Sequence, residues 1–242
     1  MELSKRLAAV AGLVTEGASV ADVGTDHGYI PIYLTERGVA SKVLALDVNK
    51  GPLERARIHI ASCGLNEQIE TRLSDGLRNI SPGEADTMIA AGMGGGLVIK
   101  ILEEGKEVVQ TLSEFILQPQ SEIDRVRRYL NEHGMCIAAE DMVCEDGKYY
   151  PVMKAVHGKS EIYEEWEYMY GKKMLLAKHP VLKEYLIREM RISREILQKL
   201  EEQKKTDRTV ERIGEIKHKL ECVGKALSCY GEEEERCYAE KS

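Results

Sequence analysis

Hydrophobic and polar residues follow two different patterns along the chain. Up to about residue 157, short apolar runs alternate with stretches of helical spacing. The runs predict strands at 19–23, 42–46, 69–73, 87–91, 115–117, 135–143 and 149–156. The intervening stretches predict helices at 29–37, at 52–63, from the glycines after residue 91 to about 104, and from a cap at Ser121-x-x-Asp124 to Gly134. This alternation predicts an α/β fold with a doubly wound sheet that ends in an antiparallel pair.

From about residue 160 the spacing becomes helical throughout. Two apolar seams step by three and four residues, one through Leu186, Met190, Ser193, Leu197 and Leu200, the other through Ile213, Ile216, Leu220, Val223 and Leu227. They predict two long helices joined at Lys204–Asp207, with Thr206 or Asp207 as the cap of the second. An antiparallel hairpin is the favoured interpretation, and a homodimeric coiled coil is the alternative. We therefore predict an α/β domain at 1–159 and an all-α helical hairpin domain at 160–242.

The segment after the first predicted strand is rich in glycine and acidic residues. It reads Asp22-Val23-Gly24-Thr25-Asp26-His27-Gly28-Tyr29. Glycines allow a tight turn and close approach of a ligand to the backbone. Because Asp26 stands where a dinucleotide fingerprint has its middle glycine, it would repel a pyrophosphate. The loop favours a positively charged ligand instead, such as a sulfonium with an amino-acid tail.

Three further strand ends carry similar signals. Asp47 follows the second strand, where a carboxylate commonly accepts hydrogen bonds from ribose hydroxyls. Ser74-Asp75-Gly76 follows the third strand, and Gly92-Met93-Gly94-Gly95-Gly96 follows the fourth. Ligands of doubly wound sheets bind at the carboxyl ends of the strands, so the four segments together predict one cofactor site.

These segments resemble the bacterial tRNA (adenine-N1)-methyltransferases that act on position 22. The similarity rests on D-V-G-T-D-H-G-Y at 22–29, A-L-D-V at 45–48, S-D-G-L at 74–77, A-G-M-G-G at 91–95, L-Q-P at 117–119 and L-S-K-R-L at 3–7. It extends over nearly the whole chain, although the C-terminal helices match only in character. The resemblance implies a Rossmann-like class I methyltransferase domain, a helical coiled-coil domain that binds tRNA, and S-adenosylmethionine as methyl donor.

The resemblance also implies roles for individual residues around that donor. The methionine part would lie against Asp22, Gly24, Asp26, His27 and Gly28. Asp47 and Val48 would hold the ribose, and Asp75 and Gly76 the adenine. The transferring methyl group would face Gly92, Met93, Gly94 and Gly95.

Three residues are candidates for contact with the base that is methylated. Tyr29 could stack on it or donate a hydrogen bond, and Gln118 and Pro119 at the fifth strand end could grip its edge. Adenine N1 already carries a lone pair, so positioning matters more than a strong base. The fourth strand is not followed by the D-P-P-Y or N-P-P-Y motif of enzymes that methylate exocyclic amines, which by resemblance favours a ring nitrogen.

One basic stretch stands out within an acidic chain and could supply the phosphate contacts of the tRNA that the resemblance implies. The chain has 34 basic and 41 acidic residues, a net charge of −7, which argues against non-specific nucleic-acid binding. Residues 172–219, however, contain 14 basic and 8 acidic residues. The candidate RNA contacts are Lys5, Arg6, Lys172, Lys173, Lys178, Arg188, Arg191, Arg194, Lys204, Lys205 and Arg208.

Other features narrow the class of protein. Six cysteines without a C-x-x-C pair predict reduced structural thiols and no metal site. The longest apolar runs are too short for a membrane span, and the amphipathic N-terminus does not look like an export signal, so we expect a cytoplasmic protein and favour a monomer. A methyltransferase for another RNA site, a small molecule or a protein remains an alternative, as does a non-catalytic RNA-binding scaffold.

Overall fold

The computed structural model describes residues 1–202 and 206–231. The chain divides into two compact units between Glu161 and Ile162. The predicted hairpin residues Lys204 and Lys205 lie outside the described residues. Every described helix is either too short or too polar to cross a bilayer.

The first unit is built on a seven-stranded sheet in the order β3-β2-β1-β4-β5-β7-β6. The strands are β1 Ala18–Val23, β2 Ala40–Asp47, β3 Ile69–Leu73, β4 Thr87–Met93, β5 Glu114–Pro119, β6 Met135–Glu145 and β7 Lys148–His157. The helices are α1 Lys5–Gly12, α2 Tyr29–Glu36, α3 Lys50–Ser62, α4 Gly95–Glu104, α5 Lys106–Val109 and α6 Ile123–Glu132. Strands β1 to β5 are parallel and β7 is antiparallel to both of its neighbours. The predicted doubly wound α/β architecture is confirmed, and the short helix α5 was not predicted.

Both faces of the sheet are covered. Leu44, Met88 and Phe115 belong to one buried apolar cluster, and the residues that precede or follow them belong to the cluster on the other face. Successive side chains of a strand point to opposite faces. A strand that is covered on both sides therefore reads as a continuous apolar run, which is why the central strands were visible in the sequence.

The two local turn predictions in this unit have different outcomes. The β6–β7 turn lies at Asp146 and Gly147, which have φ values of 50° and 72°, as a tight two-residue hairpin requires. The predicted Ser121 cap of α6 is wrong. Helix α6 begins after Glu122, which has a φ of 50° and makes no side-chain cap. The Glu122 carboxylate instead accepts a hydrogen bond from the backbone N–H of Gly96 at 3.1 Å, so a contact with α4 replaces the local cap.

The second unit is helical. It contains α7 Glu165–Tyr170, α8 Lys172–Leu176, α9 Pro180–Glu201 and α10 Asp207–Ser228. Thr206 caps α10 by accepting a hydrogen bond from the backbone N–H of Thr209 at 3.2 Å, so of the two predicted caps Thr206 is correct.

Helices α9 and α10 form the predicted antiparallel hairpin. Leu186 and Ser193 on α9 and Ile216 and Val223 on α10 are buried. Lys217 of α10 pairs with Glu201 of α9 at 3.2 Å. The two short helices α7 and α8 were not resolved as separate elements by the sequence pattern.

Candidate functional site

The carboxyl ends of β1 and β4 define the candidate site. The chain leaves β1 towards β2 and β3 on one side, while β4 and β5 lie on the other. Such a reversal of strand order opens a crevice at the sheet edge, where ligands of this architecture bind. The loop after β1 and the glycine segment after β4 both lie at this edge. A Cβ atom built on Gly24 would approach Cε of Met93 to 3.2 Å.

The loop after β1 has an unusual backbone. Gly24 and Gly28 have φ values of 79° and 71°, and Asp26 has a φ of 44°. A left-handed conformation is costly for a residue with a Cβ atom unless its surroundings hold it. Arg55 of α3 does so, because its guanidinium donates a hydrogen bond to the Asp26 carboxylate at 2.7 Å.

Asp22 at the end of β1 is the most perturbed acid of this edge. Its side chain is only 3% exposed. Burial raises the pKa of Asp22 from 3.8 to about 6; the Thr25 hydroxyl opposes this rise and the nearby charge of Asp47 adds to it. The Thr25 Oγ1 atom is itself buried and makes no hydrogen bond of normal geometry to any described residue. A cation beside Asp22 would stabilise the ionised carboxylate that burial disfavours.

Asp47 and Asp75 stand at the next two strand ends but differ in exposure. Asp47 is 8% exposed and one of its oxygens accepts a hydrogen bond from the backbone N–H of Asn49 at 2.8 Å. The neighbouring Val48 is 58% exposed and offers an apolar surface beside it. Asp75 is half-exposed and pairs with Arg78 at 3.2 Å. The backbone N–H of Ser74 donates to the carbonyl of Asp47 at 2.9 Å, which ties the two strand ends together.

Three aromatic rings border the loop. The rings of His27 and Tyr29 are stacked with centroids 5.3 Å apart, and the His59 ring meets Tyr29 edge-on at 5.4 Å. The Nδ1 atom of His59 lies 3.0 Å from the carbonyl oxygen of His27, and since a carbonyl can only accept, Nδ1 carries the proton. Tyr29 is 40% exposed, so part of this aromatic cluster of His27, Tyr29 and His59 faces solvent.

The glycines after β4 serve two purposes. Gly92 is exposed with a φ of 81°, and it leaves open backbone at the sheet edge. Gly95 is buried, and a Cβ atom there would lie 2.5 Å from the carbonyl oxygen of Ser121. The requirement for glycine at 95 therefore comes from backbone packing against the β5–α6 connection rather than from space for a ligand. Gly94 similarly faces the Ser121 hydroxyl, with a Cβ-to-Oγ distance of 3.2 Å.

The predicted base contacts at the end of β5 are buried. Gln118 is 1% exposed, and Arg6 of α1 donates a hydrogen bond to its Oε1 atom at 3.1 Å. Pro119 is buried beside it. The Arg6 guanidinium also lies 5.8 Å from the centre of the Tyr150 ring, and a Cβ atom built on Gly92 would lie 3.4 Å from its Nη1 atom. Arg6, rather than Gln118, is therefore the partly exposed group of this pair, and Lys5 is exposed next to it.

The predicted RNA contacts of the second unit differ in how exposed they are. Arg188, Arg191 and Arg194 are exposed on α9 at intervals of three residues. Arg191 pairs with Glu195 at 3.3 Å, an exposed pair that costs little to exchange for a phosphate. Lys172 is different, since its ammonium group donates to the carbonyl of Ile162 at 2.5 Å and is only 22% exposed. Lys173 is also partly buried.

The sequence interpretation missed Arg55 and His59. They lie one helical turn apart on α3, and both hold the loop after β1. Spacing of four on a helix adjoining a glycine-rich loop is a signal that they share a face, but which face turns towards the loop depends on how α3 packs. Asp22 lies at the end of β1 and Asp47 ends the neighbouring strand β2, close enough for the charge of Asp47 to raise the pKa of Asp22. Asp26 lies in the loop after β1, and Tyr29 begins α2.

Known proteins are similar to this chain along nearly its full length. A family model described as a methyltransferase domain matches residues 3–153. The tRNA (adenine(22)-N(1))-methyltransferase of Bacillus subtilis is 31% identical over 232 residues, covering 94% of this chain and 98% of that protein. A Streptococcus pneumoniae protein solved with S-adenosyl-L-methionine is 31% identical, with a TM-score of 0.84 over 93% of this chain and 100% of that one. M. capricolum TrmK solved with S-adenosyl-homocysteine is 28% identical, with a TM-score of 0.82 over 95% and 99% of the two chains. The matched length includes the loops after β1 and β4, the whole sheet and most of the helical second unit. The chain therefore belongs to the tRNA (adenine(22)-N(1))-methyltransferase family.

Proposed function

We propose that this protein transfers a methyl group from S-adenosylmethionine to N1 of the adenine at position 22 of tRNA. The observation that carries the proposal is the proximity of the Asp22 and Asp47 carboxylates at the ends of β1 and β2, at the topological switch point, with the Tyr29 ring exposed at the start of α2. Membership in the family agrees with this arrangement. We assign methyl transfer to residues 1–159 and tRNA binding to residues 160–242, in the cytoplasm.

The residues at the sheet edge fit S-adenosylmethionine chemically. The buried Asp22 carboxylate offers a negative charge, and the buried Thr25 hydroxyl an oxygen acceptor, for the ammonium group of the amino-acid tail. Asp47 has an oxygen beyond the one that accepts from Asn49, and this oxygen can accept from ribose hydroxyls. Val48 offers an exposed apolar surface beside the ribose position. When bound, the donor supplies an electrophilic methyl group on a sulfonium.

The chain contributes mainly by positioning the base. Adenine N1 attacks with its own lone pair, so the required device is one that holds the ring in line with the methyl carbon. The Tyr29 ring, backed by His27 and His59, provides a rigid stacking face. The ring becomes cationic on methylation, and the carboxylates of this edge lower the cost of that charge.

The target base must leave any paired stem before it can react. Adenine N1 lies on the Watson–Crick edge, which pairing hides. Recognition of the surrounding RNA then rests on phosphate contacts and shape. The exposed arginines of α9 supply positive charge for this purpose, and we propose them as the tRNA contacts of the second unit.

The test uses the full-length protein, labelled S-adenosylmethionine and a transcribed tRNA that carries A22. Label in N1-methyladenosine at position 22 is the expected result, and a matched tRNA with G22 should accept none. The proposed substrate would be contradicted if the label appeared on a protein, on a small molecule or at another nucleotide. It would also be contradicted if the G22 control accepted as much label. A folded protein that fails to bind the donor in calorimetry would instead indicate a non-catalytic scaffold.

A further inference from the structure

A cluster of three potential metal ligands lies within the second unit, formed by two of its helices. Glu165 is the first residue of α7, and His218 and Cys222 lie one turn apart on α10. The Oε1 atom of Glu165 is 3.1 Å from Nε2 of His218, and that Nε2 is 3.8 Å from Sγ of Cys222. All three ligand atoms lie within 4.8 Å of one another.

An ordinary exposed ion pair would contribute little to holding these three side chains together. The His218 and Glu165 side chains are 52% and 56% exposed, and a pair this exposed contributes about 1 kcal/mol or less. The Nε2 atom of His218 faces both the carboxylate and the sulfur, although a ring nitrogen carries a single hydrogen. The convergence of a carboxylate, an imidazole and a thiol on one point is typical of a metal ligand set.

We propose that Glu165, His218 and Cys222 bind a zinc-class divalent cation, a site independent of the proposed methyl transfer. With usual zinc–ligand bond lengths, a tetrahedral site places its nitrogen and oxygen ligands about 3.4 Å apart and its nitrogen and sulfur ligands about 3.6 Å apart. The observed distances of 3.1 Å and 3.8 Å fall close to both values. Thiolate and imidazole together favour Zn²⁺ over Mg²⁺ or Ca²⁺, which prefer oxygen.

The surroundings favour a cation and hold the ligands in place. Glu164 caps α7 through a reciprocal capping box with Glu167, which fixes the turn that carries Glu165. Glu221 adds a second carboxylate near Cys222. The nearby Lys225 is held by Glu221 at 2.6 Å and lies 5.2 Å from the Trp166 ring centre.

Binding changes the protonation of two ligands. Cys222 releases its proton to solvent and binds as a thiolate, and His218 binds through Nε2 in its neutral form with the proton on Nδ1. Glu165 binds as a carboxylate, and water completes the fourth position. The metal would link the start of α7 to the middle of α10 and thereby stabilise the second unit.

The sequence predicted no metal site, because the cysteines show no C-x-x-C pair and residue 165 is far from residues 218 and 222 in the chain. The i, i+4 spacing of His218 and Cys222 was visible. Only the packing of α7 on α10 adds the third ligand. A two-residue motif on one helix is too common to predict a site by itself.

The test is a titration of chelator-treated full-length protein with Zn²⁺ alone, in competition with a chromophoric chelator. We expect one equivalent to bind and to change the fluorescence of Trp166, the single tryptophan of the chain, which adjoins Glu165. Glu165→Gln, His218→Gln and Cys222→Ser should each weaken binding at least tenfold. Cobalt in place of zinc should show a thiolate charge-transfer band that Cys222→Ser abolishes.

Cys229→Ser is the matched control, since it removes a thiol from the C-terminal end of α10 that does not belong to the cluster. It should bind zinc like the wild type. Glu165 and His218 are exposed, so their variants should fold even if Cys222→Ser, at a buried position, does not. The proposal would be overturned if the protein bound no stoichiometric zinc or if the Glu165 and His218 variants bound zinc with wild-type affinity. It would also be overturned if Cys229→Ser lost as much zinc affinity as the cluster variants.

Discussion

Replacement of Asp22 by Asn should make the protein more stable while it weakens cofactor binding. Burial and the charge of Asp47 raise the pKa of Asp22 to about 6, against 3.8 in an exposed aspartate, despite the opposing Thr25 hydroxyl. A tenfold change in an ionisation equilibrium corresponds to about 1.4 kcal/mol, so this rise corresponds to about 3 kcal/mol. Ionised Asp22 therefore destabilises the folded protein by that amount above pH 6. The Asn side chain has nearly the same shape as Asp but carries no charge, so it removes this destabilisation.

The pH dependence distinguishes this cause from a change in packing. Between pH 3.8 and about 6 the folded protein keeps the Asp22 proton that the unfolded chain releases. The contribution of Asp22 to stability therefore falls as the pH rises through this window, and then stays at its low value. The stability advantage of Asp22→Asn should widen from pH 4 to pH 6 and remain constant above it.

The assay is urea unfolding of both proteins without cofactor at pH 4, 5, 6, 7 and 8, compared as free energies of unfolding. Asp75→Asn is the control, because its exposed carboxylate should change stability by no more than about 0.5 kcal/mol at each pH. A difference between wild type and Asp22→Asn that stays constant across the series would refute the reasoning. Calorimetry with S-adenosylmethionine should show weaker binding to the variant, because the neutral amide no longer attracts a cation.

Three further predictions concern the base and the RNA. Tyr29→Phe keeps the stacking ring but removes the hydroxyl, so donor affinity should be unchanged and kcat should fall if the hydroxyl acts in the transition state. A wild-type kcat would show that Tyr29 contributes only by stacking. His59→Ala removes the hydrogen bond to the carbonyl of His27 and the edge contact with Tyr29, which at about 1 kcal/mol should lower kcat/KM about fivefold. The His59→Gln variant should restore much of it through its amide N–H, and equal loss in both variants would count against this role. Changing Arg188, Arg191 and Arg194 together to Glu should weaken tRNA binding and reduce its dependence on salt concentration, while donor affinity stays unchanged. A binding titration with the wild-type salt dependence would show that the RNA binds another surface.

Features that depend on neighbouring residues could be predicted from the sequence of this chain alone. The central strands are continuous apolar runs because both sheet faces are covered, and the Asp146-Gly147 turn is set by residues that tolerate positive φ. The aspartates after β1 and β2 could be assigned to one edge because parallel strands bring their carboxyl ends together. The hairpin seams were visible because helical periodicity is a property of neighbouring residues.

Contacts between distant residues were decided only by the tertiary structure. The sequence offered Gln118 as a base contact at the end of β5, but Gln118 is buried there and Arg6 of α1 donates a hydrogen bond to it. The cap expected at Ser121 was replaced by a contact between Glu122 and α4. Two further contacts also join separate elements. Arg55 and His59 of α3 form hydrogen bonds with the loop after β1, and Glu165 of α7 lies beside His218 and Cys222 of α10. Periodicity and turn chemistry depend on residues a few positions apart, whereas burial, pKa and ligand geometry depend on which surfaces pack together, and that packing is fixed only when the whole unit folds.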